Sequence, residues 1–135
     1  MSAKAKTKRV EVKPVCLRLP LRIISEANAR GHWAAGARRA KEQRSLIKLA
    51  LWMKAAEFRA MLAHGYSGER VRVLLVREGN RQLDGDNLQR ACKAVRDSVA
   101  FVLGVDDADP AVVWDYAQVS PKPYGLSIYL GLAAK

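Results

Sequence analysis

Two short acidic clusters contain the residues best suited to bind a metal ion. The first comprises Asp84, Asp86 and the amide Asn87, and the second comprises Asp106 and Asp107. Mg²⁺ prefers octahedral oxygen coordination and usually takes one or two carboxylates together with waters and substrate phosphate oxygens. The two clusters therefore predict a divalent-cation site. The same short sequences are also typical of helix caps and acidic turns, and this alternative stays open.

The acidic clusters lie in a strongly basic chain. The formal net charge is +11 over 135 residues, yet all seven aspartates lie between Asp84 and Asp115. A basic surface attracts phosphates and releases counterions on binding nucleic acid. An acidic metal site facing such a surface favours phosphodiester chemistry, whereas a basic surface that serves only solubility is the simpler alternative.

Basic residues near the first cluster are candidates for stabilising charge on a phosphate. Arg90 and Lys93 lie one helical turn apart on the predicted solvent face of a helix, where a merely solvated role is the more usual one. Further candidates for contacting DNA, with structural or solvation roles as alternatives, are Asn28, His32, Trp33, Arg38, Arg39, Lys41, Arg44 and Lys48.

These residues must be positioned by a small domain of mixed α and β structure. Hydrophobic periodicity predicts the order β-α-β-α-β-β in a single compact α+β or mixed α/β domain. The predicted elements are a strand at Val10–Leu19, a loop at Ile24–Gly36, a helix from Ala37 to about Leu62, a strand at Arg70–Glu78, a helix from Leu88 to about Leu103, and strands at Ala111–Val119 and Tyr124–Leu132. Pro14 and Pro20 confine the first strand to a sheet edge, and Asp86 or Asn87 is expected to cap the second helix.

Composition narrows the location and the domain organisation. Residues 1–13 form a basic tail that we expect to be flexible, and residues 14–135 form the domain. We expect neither a membrane span nor a signal peptide, and hence a cytoplasmic protein. The distant Cys16 and Cys92 predict two buried thiols rather than a disulfide or a zinc site.

The acidic pattern resembles a known family. Leu83-Asp84-Gly85-Asp86-Asn87-Leu88-Gln89, a helix, and then Gly104-Val105-Asp106-Asp107 are similar to the RusA family of Holliday-junction resolvases, especially its phage-borne branch. The resemblance covers most of residues 19–119. It implies a RusA-like fold and a homodimeric, Mg²⁺-dependent endonuclease, with Mn²⁺ as a possible substitute, acting in DNA recombination and repair in a bacterial or phage-infected cell. Such enzymes cut four-way DNA junctions by paired symmetric nicks and need no small-molecule cofactor.

The resemblance also assigns roles to residues. It places the three essential aspartates at Asp84, Asp86 and Asp107, with Asp106 beside the last as a further metal ligand. The catalytic lysine of the family falls on Arg90, which is a departure, and Lys93 is the alternative source of an ammonium group.

Helix geometry separates the two acidic clusters. A straight helix from Leu88 to Leu103 would be about 24 Å long at 1.5 Å per residue, which is too far for Asp107 to share an ion with Asp86. Either the helix bends, or the following loop folds back, or a partner subunit supplies Asp107, and we expect a site completed across a twofold axis. Two other functions remain: a non-catalytic DNA-binding protein, and a nuclease that prefers flaps or forks.

Overall fold

A four-stranded mixed sheet forms one layer of this small α+β domain. The computed structural model describes residues 14–24, 33–54, 56–57, 60 and 70–133. The strands are β1 (Val15–Leu19), β2 (Arg70–Glu78), β3 (Val112–Val119) and β4 (Gly125–Ala133), in the spatial order β1-β4-β2-β3. Strand β2 is parallel to β3 and antiparallel to β4, which is antiparallel to β1.

Three helices whose bounds lie within the described residues form the second layer. They are α1 (Trp33–Trp52), α2 (Gly85–Ala91) and α3 (Lys93–Leu103). Helices α2 and α3 form the crossover between the parallel strands β2 and β3, and α1 packs against α3. The first acidic cluster therefore lies where β2 leads into α2, and the second lies where α3 leads into β3.

The core lies between the sheet and the helices. Alternate residues of β2, namely Val71, Val73 and Leu75, are fully buried, as expected for a strand with one face against helices. Ile128 on β4 lies opposite Leu75, and Ile47 on α1 is also fully buried. Each such side chain contributes about 1.5–3 kcal/mol when transferred from water.

Most predicted elements are present. Strand β2 has the predicted bounds, and β1 is an edge strand with Pro14 and Pro20 directly outside it. Helix α1 begins at Trp33, inside the segment predicted as a loop, and it ends at Trp52. In the predicted continuation towards Leu62, residues 53–54 form a turn and residues 56–57 and 60 are helical, whereas the other five residues lie outside the described part of the chain, as does the tail.

The predicted second helix is divided at Cys92. The backbone of Cys92 has φ −91° and ψ 4°, which separates α2 from α3. The hydrogen bonds nevertheless continue through it, because the Cys92 N–H donates to the Leu88 carbonyl at 3.1 Å and the Arg96 N–H donates to the Cys92 carbonyl at 2.9 Å. The chain therefore keeps its helical course, and the division does not bring its two ends together.

The prediction about the cap of this helix was wrong. Asp84, rather than Asp86 or Asn87, occupies the N-cap position, and its side chain makes no capping hydrogen bond. The predicted end of this helix at about Leu103 is confirmed: α3 ends at Leu103, and Gly104 follows with φ 75°, a left-handed conformation that glycine adopts without steric cost.

The two cysteines differ in exposure. Cys92 is fully buried as predicted, but Cys16 is exposed, because it points to the sheet face that the helices do not cover. Within the described part of the chain, no helix has the length and apolar character that crossing a bilayer requires.

Candidate metal and nucleic-acid site

Asp84 and Asp86 lie at the start of α2, and both are exposed. The residue before them is held by a side chain of β3. The Leu83 N–H donates to Gln118 Oε1 at 2.9 Å, and Gln118 Nε2 donates to the Leu83 carbonyl at 2.6 Å. This two-bond clamp fixes the first acidic cluster beside the C-terminal end of β3.

A buried arginine orders the loop that precedes the clamp. Arg77 is only 4% exposed and donates to the carbonyls of Ile23 at 2.7 Å and Arg81 at 2.6 Å. Burial lowers the pKa of its guanidinium, but only neutral carbonyls accept its described hydrogen bonds. The side chain therefore holds the segment before Asp84 in place by hydrogen bonds to its backbone and to that of Ile23.

In the acidic loop of residues 106–110, which contains the second cluster, two carboxylates belong to turns. Asp106 Oδ1 accepts a hydrogen bond from the Ala108 N–H at 2.8 Å, and Asp109 Oδ1 accepts one from the Ala111 N–H at 2.9 Å. These bonds are what the turn interpretation of an acidic loop predicts. The carboxylate of Asp107, in contrast, lies beside the side chain of Arg96.

Asp107 is anchored to α3 and to the middle of β3. Its carbonyl accepts hydrogen bonds from Trp114 Nε1 at 3.0 Å and from Arg96 Nη2 at 2.8 Å. Its Oδ2 lies 3.2 Å from Arg96 Nε, a charge pair without a hydrogen bond, because that buried nitrogen has no aligned acceptor. Arg96 also donates to the Tyr116 hydroxyl at 3.1 Å and lies 4.8 Å from the centre of the Trp114 ring. The acidic loop therefore folds back as far as Trp114.

The fold-back is not enough to unite the two clusters within one chain. Trp114 holds Asp107 and Gln118 holds Leu83, and these anchors lie four residues apart on β3, about 13 Å at 3.3 Å per residue. Ligand oxygens of Mg²⁺ lie about 2.0–2.1 Å from the ion. Among the described residues, no three His, Cys, Asp or Glu side chains form a group that could hold a metal. One chain thus separates Asp84 and Asp86 from Asp107.

Arg90 and Lys93 line a groove that has α1 on one side and α2 and α3 on the other. The groove has a volume of about 350 Å³. Lys93 Nζ forms an exposed ion pair with Asp97 Oδ2 at 3.2 Å, a kind of pair that usually contributes only about 0.2–1 kcal/mol. The groove is lined by Gly36, Ala37, Ala40, Gln43, Arg44, Arg90, Ala91, Lys93, Ala94 and Asp97. Two candidates for phosphate contact from α2 and α3 therefore face Arg44, a candidate for DNA binding from α1.

The other DNA-binding candidates are more scattered. Arg38 and Lys41 are exposed and border a shallow depression on the opposite side of α1, and Arg39 is half-buried. Lys48 Nζ lies 4.3 Å above the ring of Phe101 on α3. Asn28, His32 and the Trp33 side chain lie outside the described residues.

The residues that position the acidic clusters were not predicted from the sequence. Trp114, Tyr116 and Gln118 alternate along β3 and face the helices, where all three make the polar contacts just described. A strand whose helix-facing positions carry side chains with hydrogen-bonding groups was the available signal. Arg96 and Arg77 have no such signal in the sequence. They differ from solvated arginines only in their contacts with other segments, which local sequence does not show.

No model of a protein family matches the chain, and no curated protein matches its sequence. The arrangement itself combines two exposed carboxylates with a groove bordered by three basic side chains. Asp86 and Arg90 are four residues apart on α2, so the Asp86 carboxylate lies one helical turn from the groove, and Asp84 precedes it at the N-cap position.

Proposed function

We propose that this chain is a Mg²⁺-dependent endodeoxyribonuclease that resolves four-way DNA junctions by paired nicks, in DNA recombination and repair, in a bacterial or phage-infected cell. The observation that carries the proposal is the exposed pair Asp84 and Asp86 at the start of α2, with Asp86 one helical turn from the groove that contains Arg44, Arg90 and Lys93. Carboxylates beside cations are what a nuclease needs, since one set binds the metal and the other binds the phosphate.

The exposed carboxylates suit a hard divalent cation. Mg²⁺ commonly takes one or two carboxylates and completes its shell with water and substrate phosphate, so Asp84 and Asp86 fit it, and Mn²⁺ could substitute. When bound, the ion supplies Lewis acidity at the phosphate and promotes attack by water. Arg90 and Lys93 place positive charge where negative charge develops on the phosphate, and the weak pair with Asp97 leaves Lys93 readily recruited.

The separation of Asp107 supports a site shared between two subunits. Of the two described sheet edges, β1 is short and bounded by Pro14 and Pro20, whereas β3 has eight residues and contains no proline or lysine. Long edges without such protection pair readily with another copy of the strand. Strand β3 is therefore our candidate for the homodimer interface.

Antiparallel pairing of two β3 strands would complete the site. If the twofold axis passes near Tyr116, midway between Trp114 and Gln118, the Gln118 of one subunit lies opposite Trp114 of the partner subunit. Because Gln118 holds the segment before Asp84 and Trp114 holds Asp107, this pairing carries Asp107 of the partner towards Asp84 and Asp86.

A non-catalytic DNA-binding protein is the second candidate. The turn hydrogen bonds of Asp106 and Asp109 favour it, since they give part of the acidic loop a structural role. A nuclease that prefers flaps or forks would use the same residues as the resolvase.

Cleavage of a labelled four-way junction distinguishes these candidates. The substrates are the junction and matched duplex, flap, fork and single-stranded controls, each with Mg²⁺ or EDTA, and the proteins are wild type and Asp86→Asn. The resolvase predicts paired symmetric nicks on the junction alone, lost with EDTA and with the substitution. Preferred cutting of flaps or forks favours the third candidate, and junction binding without any nick favours the second.

A further inference from the structure

The groove belongs to a longer row of cations between α1 and α3. Arg90 and Lys93 lie beside Arg44 in the groove, and Lys48 covers the exposed Phe101 ring further along α3. We call Arg44, Lys48, Arg90 and Lys93 the cationic seam. From Arg90 to Phe101 it extends about 16 Å at 1.5 Å per residue.

The floor of the seam leaves room for a ligand. Where α1 approaches α2 and α3, the lining residues without charge are mostly glycine and alanine, which keeps the groove open between its basic rims. Asp97 is the one carboxylate among the groove-lining residues, and Lys93 neutralises it at 3.2 Å. The seam therefore combines depth with an excess of positive charge, as binding of a polyanion requires.

We propose that the cationic seam binds the phosphodiester backbone of one DNA strand and leads it to Asp84 and Asp86. This inference rests on the proposed action on DNA, but not on cleavage. At 3.4 Å per nucleotide of a strand, 16 Å corresponds to about five nucleotides. Arg44 is then a substrate-positioning residue that holds the strand from the α1 side, opposite Arg90 and Lys93.

Binding without cutting tests the seam. The dissociation constant for a labelled four-way junction is measured in EDTA over a series of NaCl concentrations for wild type, Arg44→Ala, Arg44→Lys and Arg72→Ala. Arg72 is the matched control, because it is an exposed arginine on the sheet face that the helices do not cover, outside the groove. Loss of one phosphate contact reduces the slope of log K against log salt by about 0.7–0.9.

The expected result is that Arg44→Ala loses about this much slope, that Arg44→Lys restores it because the charge is kept, and that Arg72→Ala retains the wild-type slope. Equal losses for Arg44→Ala and Arg72→Ala would overturn the proposal, because the charges would then act as a diffuse field. Ala94→Met fills the groove without changing charge and should weaken binding several-fold while circular dichroism remains native. Wild-type affinity in this variant would show that no strand occupies the groove.

The outcomes separate the seam from the enzyme. If binding depends on Arg44 but no cleavage occurs in Mg²⁺, the seam is supported and the nuclease is refuted. If Arg44→Ala cleaves at the wild-type rate, the nuclease is supported and the seam is refuted. No binding to any DNA would overturn both.

Discussion

The clamp between Gln118 and Leu83 makes a quantitative prediction. Gln118→Met keeps the length of the side chain and removes both hydrogen bonds, which join Gln118 Oε1 to the Leu83 N–H at 2.9 Å and Gln118 Nε2 to the Leu83 carbonyl at 2.6 Å. A typical hydrogen bond contributes about 0.5–1.5 kcal/mol net, so the two together contribute about 1–3 kcal/mol. Half-buried Leu83 can recover water only in part.

Thermal and urea unfolding measure this loss. For a chain of this size about 1 kcal/mol corresponds to roughly 4 °C in Tm, so Gln118→Met should melt about 4–12 °C below wild type. Gln82→Met is the control, because it makes the same chemical change at an exposed position in the adjacent loop. Melting of both variants within about 1 °C of wild type would refute the clamp.

A charged substitution sharpens the test. Gln118→Glu keeps an acceptor for the Leu83 N–H but directs a second oxygen at the Leu83 carbonyl in place of the donor. The repulsion raises the pKa of the introduced carboxyl above its unfolded value, since protonation restores a donor. The penalty is therefore present at neutral pH and declines as the pH falls through the raised folded pKa. If the free energy of unfolding of this variant falls in parallel with that of wild type on acidification, the clamp geometry is contradicted.

Two further predictions concern titratable groups. Burial raises the pKa of the Cys92 thiol to about 12, so a thiol reagent at pH 8 should label the exposed Cys16 in the native protein and label Cys92 only on unfolding; rapid native labelling of both would contradict the described burial. The hydrogen bond from Arg18 at 2.9 Å lowers the pKa of Glu78 below its ordinary value, so this pair stabilises the fold above that value and ceases to do so as the pH falls through the lowered pKa. Urea unfolding should show that Glu78→Gln has a smaller loss of stability over that acidic window than wild type, and identical pH profiles would refute the linkage.

Local sequence patterns predicted the regular elements well. The alternation of apolar residues gave the bounds of β2, and Pro14 and Pro20 placed β1 at an edge, because a proline cannot donate a ladder hydrogen bond. The start of α1 at Trp33 and the division at Cys92 were missed, because no Ser, Thr, Asp or Asn directly precedes Trp33 and no glycine or proline marks position 92.

The candidate site was predictable in residue type but not in assembly. The spacing of Asp84 and Asp86 identified the exposed pair, and helical periodicity placed Arg90 and Lys93 on one face. Spacing does not encode contacts between distant segments, so Arg44 opposite these residues emerged only from the packing of α1 on α3.

Mixed dimers give the most direct test of a site shared between subunits. Asp84→Asn and Asp107→Asn subunits, each inactive alone, are mixed in equal amounts after unfolding and refolding together, and nicking of a labelled junction is measured. If each site takes Asp84 from one subunit and Asp107 from the other, half of the dimers are mixed and each contains one intact site, which predicts about a quarter of the wild-type sites, with single nicks instead of paired ones. No recovery of cleavage, with exchange of subunits verified by differently tagged chains, would contradict the shared site.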